Sequence, residues 1–84
     1  MSERIGYKVY VDVDATFTSD GGLLPRSLVW EDGRRYTIDR IRKIERCASR
    51  RAGGAGIMYT CLVSGREIHL FYEENMRWFL ESKL

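Results

Sequence analysis

The chain contains one proline, two cysteines and a single histidine in 84 residues. Two cysteines, Cys47 and Cys61, are too few for a disulfide scaffold, and their spacing is not that of zinc ligands. No apolar run approaches the ~20 residues needed to span a bilayer. Met1-Ser2-Glu3-Arg4 leads into alternating residues, not into the continuous apolar stretch of a signal peptide. The expectation is a cytoplasmic protein without a membrane partner, its thiols free and reduced. Catalytic material is equally sparse. His69 alternates with apolar neighbours, and nothing in the spacing sets it beside Cys47, Cys61 or a serine as nucleophile-and-base chemistry requires. A chain of this length buries only roughly 60% of its unfolded surface, enough for one core but not for a core and a deep cleft. The reading is therefore a protein that is not an enzyme, with no catalytic residue, no metal site and no cofactor.

What is present describes a folded domain. Hydrophobic content is 44%, charged content 31%, and ten residues are aromatic, whereas disordered chains are poor in aromatics. Tyr7, Val9, Val11, Val13, Ala15 and Phe17 alternate with polar residues and Tyr10. Successive strand side chains point to opposite faces, so this segment is a long strand with one apolar face. Ser19-Asp20-Gly21-Gly22 turns it. Pro25 cannot donate to a ladder and belongs at a strand's start or edge. Asp32-Gly33, between Ser27-Leu28-Val29-Trp30 and Arg35-Tyr36-Thr37-Ile38, is a hairpin signal, since both positions tolerate positive φ.

From 39 to 50 the spacing is ambiguous. Ile38, Ile41, Ile44 and Cys47 recur every third residue. A helix capped by Asp39 fits this, and so does a strand interrupted by a bulge; the surrounding strands favour the bulge. Ala52 to Gly56 reads as a flexible glycine connection. Ile57 to Val63 and Glu67 to Tyr72 are strands joined at Ser64-Gly65-Arg66, and Arg77 to Glu81 closes the chain. The sum is one all-β domain over 1–84. It is a meander of about six strands curled into a small barrel or sandwich of SH3-like size, with a short helix within 39–50 as the open alternative.

Several of these segments carry a resemblance. Trp30-x-x-Gly33-Arg34-x-Tyr36-x-Ile38-x-x-Ile41, Tyr59-Thr60-Cys61-Leu62-Val63, Leu70-Phe71-Tyr72 and Arg77-Trp78-Phe79-Leu80-Glu81 occur in an order similar to that of short bacterial proteins of clostridial type. More loosely, the chain resembles a small bacterial domain encoded near SOS-mutagenesis polymerase-like genes. The likeness covers roughly residues 28 to 82. It implies a bacterial source and a small β fold, and it brings no catalytic residue with it.

Charge is the strongest functional feature. Arg34, Arg35, Arg40, Arg42, Lys43, Arg46, Arg50 and Arg51 face only Asp39 and Glu45 within 34–51, a local balance of +6 in a chain whose total is +2. Arginine suits bidentate phosphate recognition, and clustered cations release counterions on binding nucleic acid. These eight residues are the candidate nucleic-acid surface. The plainer reading is a solvated face, with Glu31, Asp32, Glu67, Glu73 and Glu74 as cross-strand partners. Tyr10, Phe71 and Phe79 lie off the main apolar face, where they are placed to stack on bases, while Trp30, Tyr36 and Trp78 belong to the core. Asp12 and Asp14 share a strand face, where they bind a hard cation, act as a carboxylate pair or form an ordinary polar surface, the last being the commonest. Arg50 to Gly56 lacks the ending of a phosphate-binding loop. If the strands flanking the glycine connection pair, Cys47 and Cys61 lie nearly opposite. The later strands are apolar on both faces. Met58, Leu62, Phe71 and Phe79 therefore form a second candidate surface, for another protein or for self-association. The two partner classes are thus nucleic acid and protein.

Overall fold

A computed structural model describes residues 7–49 and 54–82. The alternating N-terminal segment is strand β1 (Tyr7–Phe17). It pairs along its second half with β2 (Leu23–Val29) and along its first half with β7 (Trp78–Ser82). Three residues, Arg35–Thr37, form β3 against the end of β2. Then come β4 (Arg40–Ser49), β5 (Gly54–Val63) and β6 (Arg66–Glu73). All pairings are antiparallel, and the strand order is β3-β2-β1-β7-β6-β5-β4. The expected meander is thus two meanders, β1-β2-β3 and β4-β5-β6-β7, joined where β7 returns to β1. The sheet curls into a half-closed barrel.

The ambiguous segment is a strand, not a helix. A bulge between Ile41 and Lys43 shifts the register. Residues three apart fall on opposite faces of a regular strand; one extra residue brings Ile41 opposite Cys61 and Ile44 opposite Tyr59, both on the concave side. The same register corrects the expected cysteine pairing. Cys47 lies opposite Gly56, and Cys61 is a free, buried thiol facing Ile41. Part of the expected glycine connection is strand: Gly54 to Gly56 belong to β5, and its remainder, 52–53, lies outside the described residues. Gly56 is needed for close approach, because a Cβ there would sit 2.6 Å from the Tyr72 carbonyl oxygen.

The concave face holds the core. Tyr59, Cys61, Leu70 and Trp78 are buried, with Val11, Val13, Leu23, Ile38, Ile41, Ile57, Ile68, Tyr72 and Leu80 packed around them. Tyr59 reaches across the interior from β5 and donates its hydroxyl to the Leu23 carbonyl on β2. Burial raises its pKa and keeps that donor protonated. Trp78 is core as expected, but Trp30 and Tyr36 are only half-buried. Tyr36 lies in the short edge strand β3 and Trp30 just beyond β2, where no further strand covers them among the described residues.

Three turns share one build. In 18–22, 30–34 and 73–77 the first residue's N–H donates to the fifth carbonyl, and the fourth N–H donates to the first carbonyl. The fourth position has positive φ: Gly21, Gly33 and Met76. Only Gly33 of Asp32-Gly33 uses positive φ; Asp32 instead accepts the Arg34 N–H at 2.9 Å, as Asn75 accepts the Arg77 N–H at 3.1 Å. Met76 pays the steric cost that glycine avoids.

Gly56→Ala is expected to lower unfolding free energy by about 1–3 kcal/mol through forced separation of β5 and β6. Tyr59→Phe, which orphans the Leu23 carbonyl, is expected to cost about 1 kcal/mol. Met76→Gly is expected to raise stability by up to about 1 kcal/mol. Urea midpoints of the three variants measure all of these, and a Gly56→Ala midpoint equal to wild type contradicts the close-approach reading.

Candidate binding groove

The chain leaves β3 and enters β4 through Ile38-Asp39, and these two residues hydrogen-bond in opposite directions. The Ile38 N–H donates to Arg26 of β2 at 2.9 Å, and the Asp39 N–H donates to Leu62 of β5 at 2.8 Å. The Asp39 carboxylate also accepts the Ser64 N–H at 3.0 Å. One point of the link therefore ties the two ends of the sheet together. Beyond it β2 follows β1 and β4 follows β5, and the two strands part. Among the described residues, β4 has no partner on its other side, and β3 covers only Ser27–Val29 of β2. Leu23 to Arg26 therefore has no strand beside it among the described residues: the Leu23 and Arg26 carbonyls accept from the Tyr59 hydroxyl and the Ile38 N–H, and Pro25, which has no N–H, is buried between them.

Between these edges lies an open groove of about 550 Å³, lined by Leu24, Pro25, Arg26 and residues 38–44. Its apolar side is Leu24, Pro25, Ile38, Ile41 and Ile44. Ile44 shows what the gap does. It lies on the concave side opposite Tyr59, which is 1% exposed, yet is itself 51% exposed. The wall that would cover it is missing. Arg26, Arg40, Arg42 and Lys43 rim the groove against one carboxylate, Asp39, which is engaged by Ser64. Arg40 and Lys43 pair opposite Leu62 and Thr60 and so project from the convex side, while Arg42 occupies the bulge. Lys43 lies 3.4 Å from Glu45 in an exposed pair of little strength. Among the described residues, Arg26, Arg40, Arg42 and Arg46 form no ion pair with a carboxylate.

The structure divides the eight cations of the expected nucleic-acid surface. Arg35 pairs with Asp14 and also donates to Ser27 at 3.0 Å. Asp14 is therefore not one half of a carboxylate pair with Asp12; it accepts from Arg35 and Ser27. Arg34 is a loose 3.9 Å from Asp32. Arg40, Arg42 and Lys43 gather at the groove, and Arg46 is exposed farther along β4. Arg50 and Arg51 lie outside the described residues. Arg26 was not apparent as a candidate, because nothing in its neighbourhood of the sequence shows that β2 faces β4. Pro25 was the only local sign of a strand edge.

Met58, Leu62, Phe71 and Phe79 share the convex face. Phe79 is 0% exposed. Its ring stacks on Phe71 at 4.8 Å and meets Tyr10 edge-on at 5.8 Å. Arg77 lies 3.6 Å above the Tyr10 ring. Lys8 bridges to Glu73 at 2.8 Å, and the Tyr10 hydroxyl donates to the same carboxylate at 3.0 Å. Phe79 is thus stacked between Phe71 and Tyr10, with Arg77 over the Tyr10 ring, and this face leaves accessible Tyr10, which is 38% exposed, and the half-buried Met58, Leu62 and Phe71. His69 is exposed beside Thr60. Burial pushes the Cys61 thiol up to about 11, which keeps it protonated and unreactive. Among the described residues no three His, Cys, Asp or Glu side chains gather as metal ligands, and no helix is long and apolar enough to cross a membrane.

No protein-family model, curated protein or solved structure matches this chain.

Hydrogen bonds from Lys8, chiefly, and from Tyr10 lower the Glu73 pKa below its ordinary 4.5, against the opposing effect of burial. A group depressed on folding stabilises above its unfolded pKa and loses that contribution as pH falls through the folded value. Stability is therefore expected to decline from about pH 5 downward, and Glu73→Gln is expected to flatten that part of the profile. Thermal midpoints of both proteins between about pH 3 and pH 7 test this; parallel profiles contradict it.

Proposed function

We propose that this domain is a non-enzymatic protein-interaction module of the small bacterial β type its sequence resembles, and that its contact surface is the groove between β2 and β4. The observation that carries the reading is Ile44, an apolar residue on the core face left half-exposed at a gap with a basic rim. Exposed apolar surface bordered by charge is how soluble domains present partner sites. The protonated, buried Cys61 fits work in the reducing cytoplasm.

Nucleic acid is the second reading. It is favoured by the guanidinium groups of Arg40, Arg42 and Arg46, which are exposed and unpaired among the described residues. Against it stands the lining. Among the described residues no aromatic side chain borders the groove, and single-stranded nucleic acid is held largely by stacking on aromatics.

Fluorescence anisotropy with a labelled poly-glutamate peptide and a labelled mixed-sequence oligonucleotide at two salt concentrations separates the readings. The peptide is expected to bind, and Arg40→Glu/Arg42→Glu is expected to weaken it at least tenfold, about 1.4 kcal/mol. Salt-sensitive binding of the oligonucleotide alone overturns the proposal in favour of nucleic acid. Light scattering on the free protein is expected to give the monomer mass; a stable dimer assigns the surface to self-association.

A further inference from the structure

The geometry points to a defined mode of occupation: the groove accepts an extended acidic segment of a partner protein as an added strand on β4, filling the gap between β4 and β2. This rests on the protein-interaction reading above and specifies its ligand and binding mode.

Three observations converge. First, the gap lies between two strand edges of one curled sheet. The backbone of β4 is paired to β5 on one side only, and an unpaired edge is a template for another strand. The Ile38-Asp39 link closes one end, so an entering strand has a defined stop. Second, the two walls differ. Pro25 removes a donor from the β2 edge, so an added strand forms its ladder with β4 and packs on β2 through side chains. Alternate side chains of that strand turn inward onto Ile38, Ile41 and Ile44, and the others turn outward beside Arg40 and Lys43. Third, charge selects the occupant. A second copy of β4 would bring Arg40, Arg42, Lys43 and Arg46 against the same residues, and like charges facing one another across strands are destabilising. The bulge at Arg42 further disfavours a flat β4–β4 pairing. A strand alternating acidic and aliphatic residues satisfies both the rim and the floor. The wall from Arg40 to Ile44 accommodates about five residues of it.

The test uses the whole chain, labelled with ¹⁵N, and three capped peptides: an alternating Glu-Val octapeptide, its Lys-Val counterpart, and a Glu-Val peptide N-methylated at alternate amides on its hydrogen-bonding edge. The Glu-Val peptide is expected to shift the amide resonances of residues 40–44 and slow their hydrogen exchange at least tenfold. The Lys-Val and N-methylated peptides are expected to bind at least tenfold more weakly. Ile44→Asp, which changes an exposed side chain, is expected to abolish the effect while leaving the spectrum of the remaining sheet in place. Equal binding of the N-methylated peptide overturns strand addition and leaves a simple acidic-ligand surface. Shifts confined to the convex residues Met58, Leu62 and Phe71 overturn the groove as the site but not the protein-interaction reading. No response to any peptide at millimolar concentration overturns strand addition. If a mixed-sequence oligonucleotide then shifts residues 40–46, the protein-interaction reading falls with it.

Discussion

Two backbone amides, those of Ile38 and Asp39, donate to opposite ends of one curled sheet. The partners, Arg26 on β2 and Leu62 on β5, belong to strands four places apart in the sheet order. That stitch brings the first meander against the last strands and encloses the core between them. Tyr59 makes the second tie across the interior, from β5 to the Leu23 carbonyl. Antiparallel sheets tolerate one solvated face, but a domain this small has little area with which to bury Trp78, Leu70 and Tyr59. Curling the sheet until its ends meet supplies the missing cover.

Closure at one point also creates the opening beside it. β2 and β4 diverge from the link because each follows a different neighbour, and the twist of the sheet carries them apart. The edge left on β4 is ten residues long, which in an ordinary protein is an aggregation hazard. Arg40, Arg42, Lys43 and Arg46, with the bulge at Arg42, are the usual defence against pairing with a copy of itself. A strand of opposite charge meets no such barrier, and on that ground we propose an acidic partner for the same edge.

The convex face is organised differently. There Phe79, Phe71, Tyr10, Arg77, Lys8 and Glu73 satisfy one another through stacking, cation–π contact and a shielded ion pair. Apolar residues on that side look like a spare surface in sequence. In three dimensions Phe71 and Tyr10 cover Phe79, which has no surface left to offer, while Met58, Leu62 and Phe71 stay half-buried.

The sequence by itself determined the fold class, β1 with the apolar face of Val9, Val11 and Val13, and the positions of the hairpin turns, while Ala15 and Phe17 beyond the bulge are exposed. These follow from side-chain alternation and turn chemistry, which act between residues close in the chain. It also held the basic concentration in 34–51. Only the tertiary structure decided that Arg40–Ser49 is a strand, because a threefold spacing fits a bulge as well as a helix until Ile41 and Ile44 are seen opposite Cys61 and Tyr59. Only the tertiary structure decided that Arg35 is bound to Asp14 while Arg40 and Arg42 have no carboxylate partner among the described residues, and that Arg26 joins them at the groove. Those outcomes depend on which strand lies beside which, a matter of register and closure between segments distant in the chain. No local periodicity encodes where the two ends of a curling sheet meet.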